Sequence, residues 1–179
     1  MCGDQRDEKD TYPTPPESIQ GPLRMYPTGP LDTSDEIGRL APSRATVLVV
    51  GGGRSAQATV ARALHERSAR ANSPFVQVDC EVIAPDDMEA VLFGGPSYDV
   101  DARGAVHAAY GGTLYVAAVH GLPMPLQPRF LAHLDQSLSS RGRVVVSTDV
   151  ELIERVRTAR FRRDLAERLD LVRVVLEPV

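Results

Sequence analysis

The stretch from Val47 to His65 constrains this chain more than any other. It opens on Val47-Leu48-Val49-Val50, an apolar, β-branched run of the kind buried on both faces of a parallel sheet. Gly51-Gly52-Gly53-Arg54-Ser55 predicts a glycine turn. Ala56 to His65 contains no helix breaker, is rich in alanine, and leads a helical face of Val60, Ala63, Leu64 and Arg67. Strand, glycine turn and helix is the geometry of a phosphate loop, in which backbone N–H groups and a helix N-terminus face an anion. The chemistry of such a loop is incomplete. Its first glycine should be followed, four residues on, by a second glycine and a lysine. Gly51 supplies the first, but Ala56 and Gln57 stand where the second glycine and the lysine belong.

Strands and helices alternate around this stretch. Thr33-Ser34-Asp35-Glu36 predicts a helix start, running to about Leu40. Strands are expected at Phe75–Val78, Thr113–Val116, Arg143–Val146 and Val172–Leu176. Pro85-Asp86-Asp87 predicts a helix through Phe93, with its acids serving the helix dipole rather than a metal. Further helices are expected over Arg103–Ala109, from Pro125 with Leu126, Phe130, Leu131 and Leu134 inward, from about Asp149 to Arg157, and over Arg162–Arg168. The pattern implies a three-layer α/β fold around a five-stranded, mostly parallel sheet. Residues 1–32 hold six of the 14 prolines and read as a disordered, acidic tail; residues 33–179 read as the α/β domain.

The net charge of −4 is all in the first forty residues, where eight acids face four basic residues. The rest is balanced, which excludes a bulk nucleic-acid footprint. Lys9 is the one lysine, so no shift of register restores a phosphate-loop lysine. No apolar run approaches the ~20 residues of a membrane span, and Cys2 lacks the apolar stretch that precedes a lipoprotein cysteine. Cys2 and Cys80 make no disulfide framework, so a reducing cytoplasm is expected. His65, His107, His120 and His133 are scattered singly, as surface or capping histidines rather than metal ligands. Ser55 and Ser147 have no triad context.

From about Ala45 onward the order of segments resembles the AAA+ domain of bacterial sigma-54-dependent transcription activators. Val60-Ala61-Arg62-Ala63-Leu64-His65-Glu66-Arg67-Ser68 is similar to the helix after that family's phosphate loop, and Pro74-Phe75-Val76-Gln77-Val78-Asp79-Cys80 to its second strand. Leu92-Phe93-Gly94, then Gly111-Gly112-Thr113-Leu114-Tyr115-Val116, match the next helix end and the Walker B strand. Leu122-Pro123, Leu126-Gln127 and Leu131 fit the helix after it, and Arg160-Phe161-Arg162-Arg163-Asp164-Leu165 with Arg168-Leu169 fits the arginine-finger segment. The resemblance implies a P-loop NTPase core; its helical lid would begin where this chain stops.

The departures fall on the machinery that the resemblance implies. The degenerate nucleotide loop is Gly51, Gly52, Gly53, Arg54, Ser55, Ala56, Gln57 and Ala58. The Walker B acids, which in the family hold magnesium and activate water, match Ala117 and Ala118, which can do neither. The sensor asparagine matches Asp149, and the sigma-54-contacting loop matches a short, altered Gly95–Ala102. Arg162 and Arg168 match the finger arginines. The expectation is a pseudo-ATPase, not an enzyme, with no cofactor and no metal. It would regulate through protein contacts with a true AAA+ activator or a client encoded nearby, without touching DNA, membrane or sigma-54. The alternative is a switch that binds ATP or ADP without hydrolysis, with Arg54 replacing the lysine charge. The basic run Arg155, Arg157, Arg160, Arg162 and Arg163 reads equally as a solvated face or as a surface for an acidic partner or a neighbour's nucleotide.

Overall fold

The computed structural model of the chain describes residues 33–95, 103–137 and 142–177. The tail expected over residues 1–32 and the altered loop from residue 96 to 102 lie outside the described residues. The elements are α1 (Thr33–Leu40), β1 (Val47–Gly51), α2 (Gly53–Glu66), β2 (Phe75–Asp79), α3 (Met88–Phe93), α4 (Gly104–Ala108), β3 (Thr113–Ala117), α5 (Gln127–Ser137), β4 (Arg143–Thr148), α6 (Leu152–Arg157), α7 (Arg163–Leu169) and β5 (Arg173–Leu176). Two 3₁₀ turns, Val119–Gly121 and Met124–Leu126, separate β3 from α5.

The sheet runs β2-β3-β4-β1-β5 with every neighbouring pair parallel. Val47 lies opposite Val145, and Leu48 opposite Arg173, so β1 is flanked on both sides. Successive strand residues point to opposite faces, which divides the core in two. Leu48, Leu114, Val116, Val144 and Val146 face α3, α4, α5 and α7 through Leu92, Ala105, Phe130 and Leu165. Val47, Val49, Tyr115, Val145 and Val174 face α1 and α2 through Ile37, Val60 and Leu64. Both faces are covered, which is why β1, β3 and β4 carry uninterrupted apolar runs such as Val47–Val50, Leu114–Ala117 and Val144–Val146. Burying one such side chain contributes about 1.5–3 kcal/mol.

Several boundaries differ from the sequence reading for identifiable reasons. β3 and β4 extend to Ala117 and Thr148, carrying those positions into the sheet. Pro85, Asp86 and Asp87 lie in a turn closed by Asp87 N–H and Met88 N–H donating to the Ala84 carbonyl (3.0 and 3.1 Å), so the helix starts only at Met88. Pro125 lies in a 3₁₀ turn, and α5 begins at Gln127. The Gln127 amide donates to the Leu122 carbonyl (2.8 Å), and its oxygen accepts from Arg162 N–H (2.8 Å), joining the start of α5 to the start of α7. Glu151, not Asp149, precedes α6 as its N-cap residue. The carboxyl ends of β1, β3 and β4 lie side by side, the edge at which open α/β sheets bind ligands.

Candidate functional site

Three glycines in succession set the end of β1. Gly51, Gly52 and Gly53 have φ of 80°, 68° and 75°, a left-handed path that costs other residues free energy. A methyl on Gly51 would collide with the Leu176 carbonyl oxygen, and one on Gly52 would stand 2.6 Å from Leu176 Cβ. The end of β5 therefore backs directly onto the turn. The expected glycine turn through Ser55 is shorter than the sequence suggested. Gly52 is the N-cap residue and α2 begins at Gly53, so Arg54, Ser55, Ala56, Gln57 and Ala58 are helical. Alanine-rich sequence without a second glycine favours winding these residues into the helix over wrapping them around an anion.

Gln57, at the lysine position, is 2% exposed. Its amide nitrogen donates to the Gly51 carbonyl (3.0 Å) and to the Thr148 carbonyl (3.3 Å). It thereby ties the end of β1 to the end of β4 with donors that would otherwise face a ligand. Arg54 points to the end of β2 instead of the glycine turn. Its guanidinium donates to Asp79 Oδ2 (2.8 Å) and pairs with Glu81. The charge expected to stand in for the lysine is thus matched by two carboxylates of the same chain.

Ala117 and Ala118 are both buried at the end of β3. Ala118 has φ 51°, uncommon for a residue with a side chain, and it leads into the turn that carries His120. His120 corrects the expectation of surface histidines, being 5% exposed. Its Nδ1 lies 3.0 Å from Thr148 Oγ1, and its Nε2 lies 2.9 Å from Glu81 Oε1 and 3.6 Å from Asp149 Oδ1. Burial pushes its pKa down, and the Asp149 carboxylate opposes that. His65 is also buried, with Nδ1 3.0 Å from Thr113 Oγ1 and its ring 5.3 Å from that of Phe75. Sequence reasoning missed the grouping of Asp79, Glu81, His120 and Asp149 because it joins the ends of three strands, β2, β3 and β4, and no local spacing links those three ends.

Among the described residues, no three His, Cys, Asp or Glu side chains are arranged to hold a metal ion. Cys80 is buried and its thiol is pushed up to about 12 by desolvation, with Asp79 adding to the effect, so it is a poor nucleophile. No helix of the described residues is long and apolar enough to cross a membrane.

The finger-like arginines belong to α7 and its N-cap. Arg162, the N-cap residue of α7, donates from Nε to Asp164 Oδ1 (3.0 Å) and from Nη2 to Asp164 Oδ2 (2.6 Å) in a forked, exposed pair. Arg168 is 15% exposed; it donates to Asp135 Oδ1 (3.1 Å) and the Leu134 carbonyl (3.4 Å), joining α7 to α5. Arg157 pairs with Glu154.

The profile of the sigma-54 interaction domain matches residues 30–175. The nitrogen assimilation regulatory protein NtrX of Azorhizobium caulinodans is 34% identical over 155 residues, covering 80% of this chain and 34% of that protein. The crystal structure of NtrX from Brucella abortus superposes with a TM-score of 0.74 at 33% identity, over 81% of this chain and 36% of the other; the same protein has been solved in complex with ATP. The P-loop NTPase domain of an Escherichia coli sigma-54 transport activator shares the fold at 19% identity and a TM-score of 0.63, over 82% of this chain and 92% of that one. The chain thus spans about a third of the length of the NtrX proteins that it matches.

Proposed function

Because the chain belongs to the sigma-54 interaction domain family, yet closes its own phosphate-loop position, we propose that it is a non-hydrolysing regulatory module acting through protein contacts. The observation that carries this reading is Gln57, whose amide nitrogen is hydrogen-bonded to the Gly51 and Thr148 carbonyls where a lysine would meet phosphate. Ala117 and Ala118 agree with it, since neither can bind a cation or accept a proton. In this reading the module works in the cytoplasm and binds a true AAA+ activator or a client encoded nearby. It does so without DNA, membrane or sigma-54 contact, and Arg162 and Arg168 belong to the α7 contact surface.

A second reading is favoured by one observation. The left-handed Gly51–Gly53 turn is of the kind that backs onto phosphates, and a relative is known in complex with ATP. This chain would then be an ATP- or ADP-binding switch that does not hydrolyse.

The test is a phosphate-release assay with ATP and magnesium. Turnover at background is expected, and Gln57→Lys alone does not raise it, because each missing group is typically worth orders of magnitude in rate. Magnesium-dependent turnover that Gly51→Asp abolishes would overturn the proposal.

A further inference from the structure

The hydrogen-bond inventory around His120 does not close for a neutral imidazole. Thr148 Oγ1 has three partners: it donates to the Val150 carbonyl (2.9 Å), accepts from Val150 N–H (3.2 Å), and lies 3.0 Å from His120 Nδ1. Its one hydrogen serves one acceptor. If that hydrogen goes to Val150, Nδ1 must carry a proton. A neutral ring then turns the bare lone pair of Nε2 toward Glu81 Oε1 at 2.9 Å, a repulsive contact. If the neutral ring instead carries its proton on Nε2, Nδ1 must take the Thr148 hydrogen, and the Val150 carbonyl loses its donor. The imidazolium satisfies all of them at once: Nε2–H donates to Glu81, Nδ1–H to Thr148, and Thr148 O–H to Val150.

We propose that His120 is a proton-operated latch on the loops that follow β2, β3 and β4, closing all of its bonds only as the imidazolium. Above its midpoint the ring is neutral with the proton on Nε2, because a charge-assisted bond to Glu81 outweighs a neutral bond to Thr148. On acidification a proton from solvent lands on Nδ1. The Thr148 hydroxyl then swings from Nδ1 to the Val150 carbonyl and fixes the loop that carries Asp149. The groups facing the ring come from every neighbouring element: Asp79 and Glu81 at the end of β2, Thr148 and Asp149 at the end of β4, Arg54 on α2 and Arg155 on α6. The carboxylates favour the proton, while the two arginines and burial oppose it; the balance lies below the ordinary value of 6.5. The left-handed Ala118 holds the turn that delivers the ring, a strained position of the kind found at switching segments.

The latch deepens the reading above by naming how the same edge is regulated, and it rests on that reading only for its biological consequence. Its test needs neither nucleotide nor partner, so either can fail without the other. The experiment is long-range ¹H–¹⁵N NMR of the imidazoles of the full chain across the titration, with the Val150 carbonyl followed in parallel. The expected result is an Nε2–H tautomer at high pH and a midpoint below 6.5, with the Val150 carbonyl resonance moving at that same midpoint. Asp149→Asn should lower the midpoint further. A neutral ring protonated on Nδ1, or a Val150 carbonyl that stays still while His120 titrates, would overturn the latch. Thr148→Val should uncouple Val150 from His120; the wild-type titration decides the question even where that variant fails to fold.

Discussion

His65, His120 and His133 each have a pKa lowered by burial, and at the residue scale this makes stability depend on acidity. In the unfolded chain they protonate near 6.5, and in the folded chain only at lower pH. Between those points the unfolded state binds more protons, so the stability is present above 6.5 and is lost as pH falls through the lowered folded values. The urea midpoint should therefore be lower at about pH 5.5 than at about pH 7.5. A midpoint that is higher at the acid end would contradict the assignment. Nothing in the local sequence marks His65 and His120 as buried. His65 reads as a surface or capping histidine after Leu64 on α2; the arrival of β3, with Thr113 bonded to it, encloses the ring.

At the element scale, α7 separates two arginines that sequence matching groups together. Arg162 precedes the helix and is paired with a neighbour two residues away, so Arg162→Ala should leave the thermal midpoint unchanged. Arg168 reaches across to α5 and is largely covered, so Arg168→Ala should cost about 1 kcal/mol, roughly 2–4 °C in a domain of this size. The protein-contact proposal adds that Arg162→Ala weakens binding to the physiological partner at least tenfold, about 1.4 kcal/mol. Normal binding by Arg162→Ala would remove α7 from the contact surface. Elements were legible where periodicity and packing agree. β1, β3 and β4 carry apolar runs at their centres because helices cover both of their faces. Boundaries were less legible where a side chain from a distant element decides them. Gln127, which joins α5 to α7, is the clearest case. The start of α2 is another, because the helix begins at Gly53 and the glycine turn ends before Ser55, sooner than its composition suggests.

For the whole molecule, the order of segments determined family and fold, while the state of the site depended on three dimensions. Ala117, Ala118 and Gln57 are visible in the sequence as missing chemistry. That Gln57 bonds to β1 and β4, and that Arg54 is held by Asp79 and Glu81, is visible only once the five strands are in register. In the proposed function, this edge of the sheet is closed on its own groups and takes no nucleotide. That closure is tested most directly by calorimetric titration of the full chain with ATP in magnesium. No saturable heat is expected up to about 1 mM, which corresponds to a binding free energy weaker than about −4.1 kcal/mol. A saturable isotherm with Kd near 1 μM, about −8.2 kcal/mol, would contradict it.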